Sequence, residues 1–203
     1  WRLARLRKGP VLAALYPVVV LLAQLAVALA AGGALAWALS GLTPMPVAAL
    51  PGLALAWGFL RWCQRRDHML AWYLIHDYAF SAQHKGAYPP AQEHRMADFA
   101  DQIAAALGPD SDEVLIVGHS SRAYLAVSIL ADLLRAGRVP RDGPALSLLT
   151  LGHVVPMVSF LPRAARLRAD LAYLSQSDAI TWVDVSAPGD GCCFALCDPV
   201  AVS

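Results

Sequence analysis

Charge is what this sequence has least of. Only 15% of its 203 residues are Asp, Glu, Lys or Arg, against about 25% in an ordinary soluble domain. The deficit is concentrated: from position 9 to position 60 there is no charged residue at all. The net charge is +1, and no Lys/Arg-rich run with interleaved aromatics occurs. A nucleic-acid footprint is therefore excluded. There is no internal repeat and no low-complexity tract. Of four cysteines, Cys192, Cys193 and Cys197 cluster without a fourth ligand, which is short of a zinc set. They read as small buried residues. No histidine follows His153.

The uncharged run sets the class. As helix it would extend roughly 78 Å at about 1.5 Å per residue. A bilayer core is about 30 Å thick and needs about 20 residues. The run is long enough for two crossings, too long for one, and too long for the apolar core of a signal peptide. Ser40-Gly41-Leu42-Thr43-Pro44-Met45-Pro46 is the natural break. The expectation is a first crossing over 11–39 and a second over 47–60. The second is short, and either extends past Arg61 or crosses a thinned bilayer. Arg2, Arg5, Arg7 and Lys8 precede the pair, Arg61, Arg65 and Arg66 follow it, and the connecting loop carries no charge. Positive flanks stay inside, so both termini and everything after the hairpin are expected in the cytoplasm. Trp37, Trp57 and Trp62 read as interfacial anchors or as lipid-facing packing. In a cytoplasmic domain disulfides are not expected.

The domain organisation follows: 1–66 a membrane hairpin with basic flanks, 67–203 a cytoplasmic domain. In the second part strand and helix signals alternate. Leu70 to Ile75 reads as a short buried strand, and His76 to Pro90 as a loop. Ala91 to Leu107 reads as an amphipathic helix, with Met96, Phe99, Ile103 and Leu107 at steps of three and four. Glu113 to Gly118 is a strand, continuously apolar from Val114 to Val117 as buried parallel strands are. A helix over 121–136, a strand over 146–151, a helix over 162–174 and a strand over 180–185 complete the pattern. The fold class is α/β, a parallel sheet with flanking helices, preceded by two transmembrane helices.

Gly118-His119-Ser120-Ser121-Arg122 carries the chemistry. A strand ends, a serine follows and a helix begins, which is the context of a nucleophile elbow. The turn lifts the serine hydroxyl above the carboxyl end of the sheet. Gly118 lets the chain turn without collision. The Ser121 amide, at a helix N-terminus, can donate to an oxyanion. On these residues the segment from Ala71 to Ser203 resembles the α/β-hydrolase superfamily, in the lipase and esterase direction. Its motif is Gly-X-Ser-X-Gly, with Arg122 in place of the second glycine. Leu148 to His153 looks like the strand after the elbow helix. The stretch from Asp184 to Val200 looks like the acid-bearing region of that family.

The resemblance implies Ser120 as nucleophile and an acid later in the chain. Asp190, in a Pro-Gly-Asp-Gly turn, ranks first, then Asp198, then Asp184. The common alternative for each is a turn or cap. A histidine is expected after the acid, beyond Ser203, or the triad is incomplete. His119 is a packing or hydrogen-bonding group beside the elbow, and His153 a distant candidate for the site rim. A second oxyanion donor would come from the loop near His76-Asp77-Tyr78. His76, His84 and His94 match no metal-ligand spacing; no metal and no cofactor is expected. Arg122 admits two readings: a degenerate elbow, or a guanidinium at the mouth that binds an anionic head group.

Two functions are open at this point. One is a membrane-anchored serine hydrolase acting on a lipid ester, with membrane lipids as partners. The other is a non-catalytic subunit or scaffold of the same fold within a larger membrane complex.

Overall fold

The computed structural model describes residues 2–201; Trp1, Val202 and Ser203, the outer ends of the two expected domains, lie outside the described residues. The chain forms two compact units, one over Ala14–Ala79 and one made of the residues up to Ala13 together with those from Phe80 onward.

In the first unit, α3 (Tyr16–Leu39) and α4 (Met45–Arg66) fold back on each other across a short turn. They belong to two helical stretches, Lys8–Leu39 and Met45–Arg66, that are long and apolar enough to cross a membrane. The first stretch is interrupted. α1 (Arg2–Leu6) and α2 (Lys8–Ala13) precede α3, and a turn at Ala14 and Leu15 separates α2 from it. Pro17 sits in the first turn of α3, where its missing N–H costs nothing. The second runs past Arg61 to Arg66, longer than the 47–60 core.

Small residues at every fourth position make the pair. Ala28, Gly32 and Ala36 on α3, and Ala48, Gly52 and Ala56 on α4, are the buried stripe. A Cβ on Gly32 would lie 2.5 Å from the Gly52 carbonyl oxygen, and a Cβ on Gly52 would press equally on the Gly32 carbonyl. Small residues of this kind let helix backbones approach closely. Gln24, the polar residue within α3, accepts a 3.2 Å bond from Trp72 Nε1.

A Gly32→Leu substitution is expected to force α3 and α4 apart. Overpacking costs about 1–3 kcal/mol, about 5- to 150-fold in the docked population. Thiol cross-linking of an Ala28→Cys/Ala56→Cys pair in membranes reads this, with the native cysteines replaced by serine. Unchanged cross-linking would show that the stripe does not set the pairing.

One expectation is corrected here. The expected strand Leu70–Ile75 is helix from Ala71 onward, and the expected loop is helical as far as Gln83: α5 spans Ala71–Gln83. An apolar run of six cannot be told from a buried helix by periodicity. Asp67 decides it. Its Oδ1 accepts from the Trp72 amide at 3.1 Å and its Oδ2 from the Tyr73 amide at 2.8 Å, capping the first turn of α5. Asp67 itself turns the chain out of α4 at a φ of 35°.

The second unit is a three-stranded parallel sheet with helices. β1 (Glu113–His119), β2 (Ala145–Leu151) and β3 (Thr181–Val185) lie in that order, with Gly118, Thr150 and Asp184 in register. α6 (Pro90–Ala106) precedes β1. α7 (Ala123–Arg135) joins β1 to β2, and α8 (Val155–Ser159) and α9 (Ala165–Leu174) join β2 to β3. α7 is almost entirely buried. It ends in a Schellman motif: Gly137, at φ 63°, donates to the Leu134 carbonyl, and Arg138 to that of Leu133.

The core gathers residues of α6, α7, α8 and α9 around Leu146, Leu148 and the half-buried Val114 and Ile116. This corrects the expectation of strands buried on both faces. Leu115 and Val117 are each 52% exposed, and Val183 and Val185 about as much. The strands alternate because the core helices pack on one face. The helix expected over 162–174 is α9, which begins three residues later, at Ala165; the short α8 precedes it. Arg168 donates to the Ser159 and Leu161 carbonyls, holding a turn between α8 and α9.

Candidate functional site

β1 delivers the chain to Ser120. His119 is still extended, at φ −102° and ψ 133°. Ser120 then adopts φ 55°. A left-handed serine at a strand–helix junction is uncommon and costs of order 1 kcal/mol or more, so it persists only where the surroundings enforce it. The enforcement comes from Gly118. A Cβ there would stand 2.8 Å from the Ala123 Cα and 3.2 Å from the Ala126 Cβ. Strand end and helix start are in near backbone contact, and Ser120 spans the gap. A 3₁₀ turn over Ser120–Arg122 feeds α7 directly.

The neighbours fall as follows. Ser120 and Ser121 are half-buried; His119 and Arg122 are exposed. Arg122 thus lies outside the strand–helix contact. Ala123, fully buried against Gly118, supplies the close packing that the second glycine of the motif would give. The Ser121 amide lies in the first turn before α7, where N–H groups have no intrahelical acceptor. Asp77 lies half-buried in α5, within the unit Ala14–Ala79, so the loop expected to supply a second oxyanion donor is helix.

The three candidate acids have distinct surroundings. Asp190 is exposed, and its Oδ1 accepts from the Cys192 amide at 2.8 Å. That bond holds its carboxyl below the usual carboxylate range against the opposing cost of burial, with lesser help from Cys193 and the Arg7 charge. A depressed carboxyl adds stability at neutral pH that is lost as pH falls through its folded-state value. Asp198 Oδ1 accepts from the amides of Val200, at 2.8 Å, and Ala201, at 3.3 Å, a turn-forming role. Asp184 accepts from the Thr150 hydroxyl at 2.6 Å, and Thr150 in turn accepts from Trp182 Nε1 at 3.1 Å.

His153 is not at a rim. It is fully buried, its Nε2 donating to the Cys197 carbonyl at 3.0 Å and standing 3.7 Å from Asp184 Oδ2. Its Nδ1 has no hydrogen-bond partner among the described residues. Spacing did not reveal this cluster. Its signal is a register: Thr150 and Asp184 are partners on adjacent parallel strands. Among the described residues, no hydrogen bond joins the Ser120 hydroxyl to an imidazole or a carboxylate. His84 packs edge-on to Phe80 at 5.1 Å, and His94 is exposed on α6. The described residues hold no group of three or more His, Cys, Asp or Glu arranged for a metal.

A cavity of about 510 Å³ opens beside β3, lined by Leu174, Trp182, Asp184, Leu196, Asp198 and Val200 among others. It runs the length of β3, from Ser177 and Ile180 before the strand to Ser186 after it.

No protein-family model, curated protein or solved structure matches this sequence.

Proposed function

We propose that this chain is a membrane-anchored serine hydrolase of the α/β-hydrolase type, acting on lipid esters. The observation that carries the reading is the left-handed Ser120, held between β1 and the helical turn before α7 by the Gly118–Ala123 contact. The Ser120 oxygen attacks the acyl carbonyl as its proton passes to a histidine base, which becomes the imidazolium and returns the proton to the alcohol that leaves when the adduct collapses to the acyl-enzyme. The Ser121 amide donates to the oxyanion as it forms, aided by the dipole of α7. Asp190 is the acid that orients and stabilises an imidazolium. The exposed Arg122 at the elbow suits an anionic head group. The two apolar helices hold the site near its substrate, and the basic residues at 2–8 and 61–66 support a cytoplasmic orientation.

A second reading is favoured by a specific observation: among the described residues no imidazole is hydrogen-bonded to Ser120, and the buried His153 is committed to Cys197. In that reading the domain is a non-catalytic subunit of a membrane assembly.

The test is fluorophosphonate labelling of the full chain in sealed membranes of known orientation, with Ser120→Ala as control. Labelling is expected in the wild type and absent in the variant. A folded protein that does not label leaves the second reading. In the same membranes, the exposed Cys192 should react with an impermeant maleimide only from the cytoplasmic face. Reaction from the other face would reverse the orientation.

A further inference from the structure

We propose that Arg7 is a positioning residue for the loop that carries Asp190, tying that loop to the segment from which the chain enters its first membrane-length helix. The inference rests on the reading of Asp190 as the acid partner of a serine hydrolase.

The loop from Ser186 to Ala195 lies beyond β3 and has no regular secondary structure, so no ladder satisfies its carbonyls. Arg7 does. The half-buried guanidinium donates through Nη2 to the Pro188 and Asp190 carbonyls at 2.5 and 2.9 Å, and through Nη1 to the Ala195 carbonyl at 3.4 Å. One planar fork thus joins both ends of the loop, which the single ammonium of a lysine matches poorly. Two residues on, the backbones meet: a Cβ on Gly9 would lie 2.8 Å from the Gly191 carbonyl oxygen. Pro10, next in line, is buried. The loop is anchored from the other side too, because the Phe194 amide donates to the His153 carbonyl at 3.0 Å.

Between these anchors Cys193 and Phe194 are almost wholly buried, while Cys192 is exposed. Asp190 therefore sits on a loop fixed at both ends. A carboxylate so fixed is preorganised for its partner; on a free loop it is not. Among the basic residues before the first membrane helix, Arg7 acts on the domain through hydrogen bonds as well as through its charge.

The two neighbouring thiols give a readout that needs no activity. In the full chain in detergent micelles, N-ethylmaleimide modification of Cys193 is measured by peptide mass spectrometry, with Cys192 as internal reference. Arg7→Ala is expected to raise Cys193 reactivity about tenfold and to lower the fluorophosphonate labelling rate of Ser120 by at least as much, since small misplacements in a site cost up to about 100-fold. The acid limb of the labelling profile should move to higher pH, because Asp190 loses a nearby cation. Arg7→Lys, which keeps the charge but not the fork, should fall between wild type and Arg7→Ala in both readouts. Cys193 remaining protected in Arg7→Ala overturns the clamp. Cys193 opening with unchanged labelling rate and pH profile overturns the positioning role. A wild-type chain that never labels overturns the hydrolase reading and the positioning role with it, while Cys193 still reports the clamp separately.

Discussion

Replacing Asp170 by alanine is expected to lower the unfolding free energy of the sheet-containing unit by about 3 kcal/mol, the low end of the cost of breaking a buried ion pair. Asp170 lies on α9 with its side chain 1% exposed. Arg135 of α7 donates to its Oδ1, and Arg166 Nε stands 3.6 Å from its Oδ2. Arg166 also pairs with Glu93 of α6 and Asp132 of α7. Each guanidinium covers a ring as well, Arg135 over Tyr173 and Arg166 over Tyr88. Three helices therefore meet on one network, and Asp170 is its innermost charge. Removing it leaves Arg135 with the longer contact to Asp132, 3.8 Å away, the Ala169 carbonyl at 3.4 Å and the Tyr173 ring. The partners are about one-third exposed, so water recovers part of the loss, which is why the low end applies. Asp170→Asn keeps the shape and one acceptor and should cost less. Urea unfolding of the full chain in detergent, followed by far-UV circular dichroism, measures both. An unchanged midpoint in Asp170→Ala would mean that the network contributes nothing net. A loss of about 3 kcal/mol is a large share of a typical 5–15 kcal/mol stability.

The links between helices in this network were not visible in the sequence, and the reason is geometric. Asp132–Arg135 and Arg166–Asp170 lie at helical spacing, but the remaining pairs join residues far apart in the chain, and only helix packing brings Glu93, Asp132 and Asp170 to one place. What was legible had a local cause. The uncharged run over 9–60 announced two long apolar helices because charge is expelled from such segments by solvation alone. The strands of the sheet were found because short apolar runs between helical patterns have few alternatives. The Leu70–Ile75 error shows the limit. A six-residue apolar run was assigned by its interior, while the deciding group, Asp67, lay outside it as a cap. The small-residue stripe at 28, 32, 36 and 48, 52, 56 was readable at a period of four, yet only its backbone contact gives it meaning. At the site, Gly118-His119-Ser120 fixed the position of the strand–helix junction, and its φ is a property of that junction. Arg7 escaped notice as a hydrogen-bonding residue because its charge already had an explanation.

Gly118→Val is expected to remove about 99% of any Ser120 reactivity while leaving a folded protein. The Cβ of any residue at 118 would sit 2.8 Å from the Ala123 Cα, and that atom belongs to backbone and cannot swing aside. Strand and helix must separate by several tenths of an ångström, and valine's two further methyls would meet Ala126. Overpacking of this kind costs about 1–3 kcal/mol, tolerable in a domain with the core described above. The junction is less tolerant. Ser120 owes its left-handed φ of 55° to the closeness of the two elements it joins. Once they separate, the residue can relax toward an ordinary conformation, and its hydroxyl leaves the line of the Ser121 amide. A misplacement of about 1 Å is enough for a 100-fold loss. Ala123→Leu attacks the same contact from the helix side, since Ala123 has no exposed surface, and should reproduce the effect. Fluorophosphonate labelling rates, read beside the unfolding midpoint of each variant, separate lost geometry from lost folding. If both variants fold and label at the wild-type rate, the contact is packing alone, and the conformation of Ser120 has some other cause.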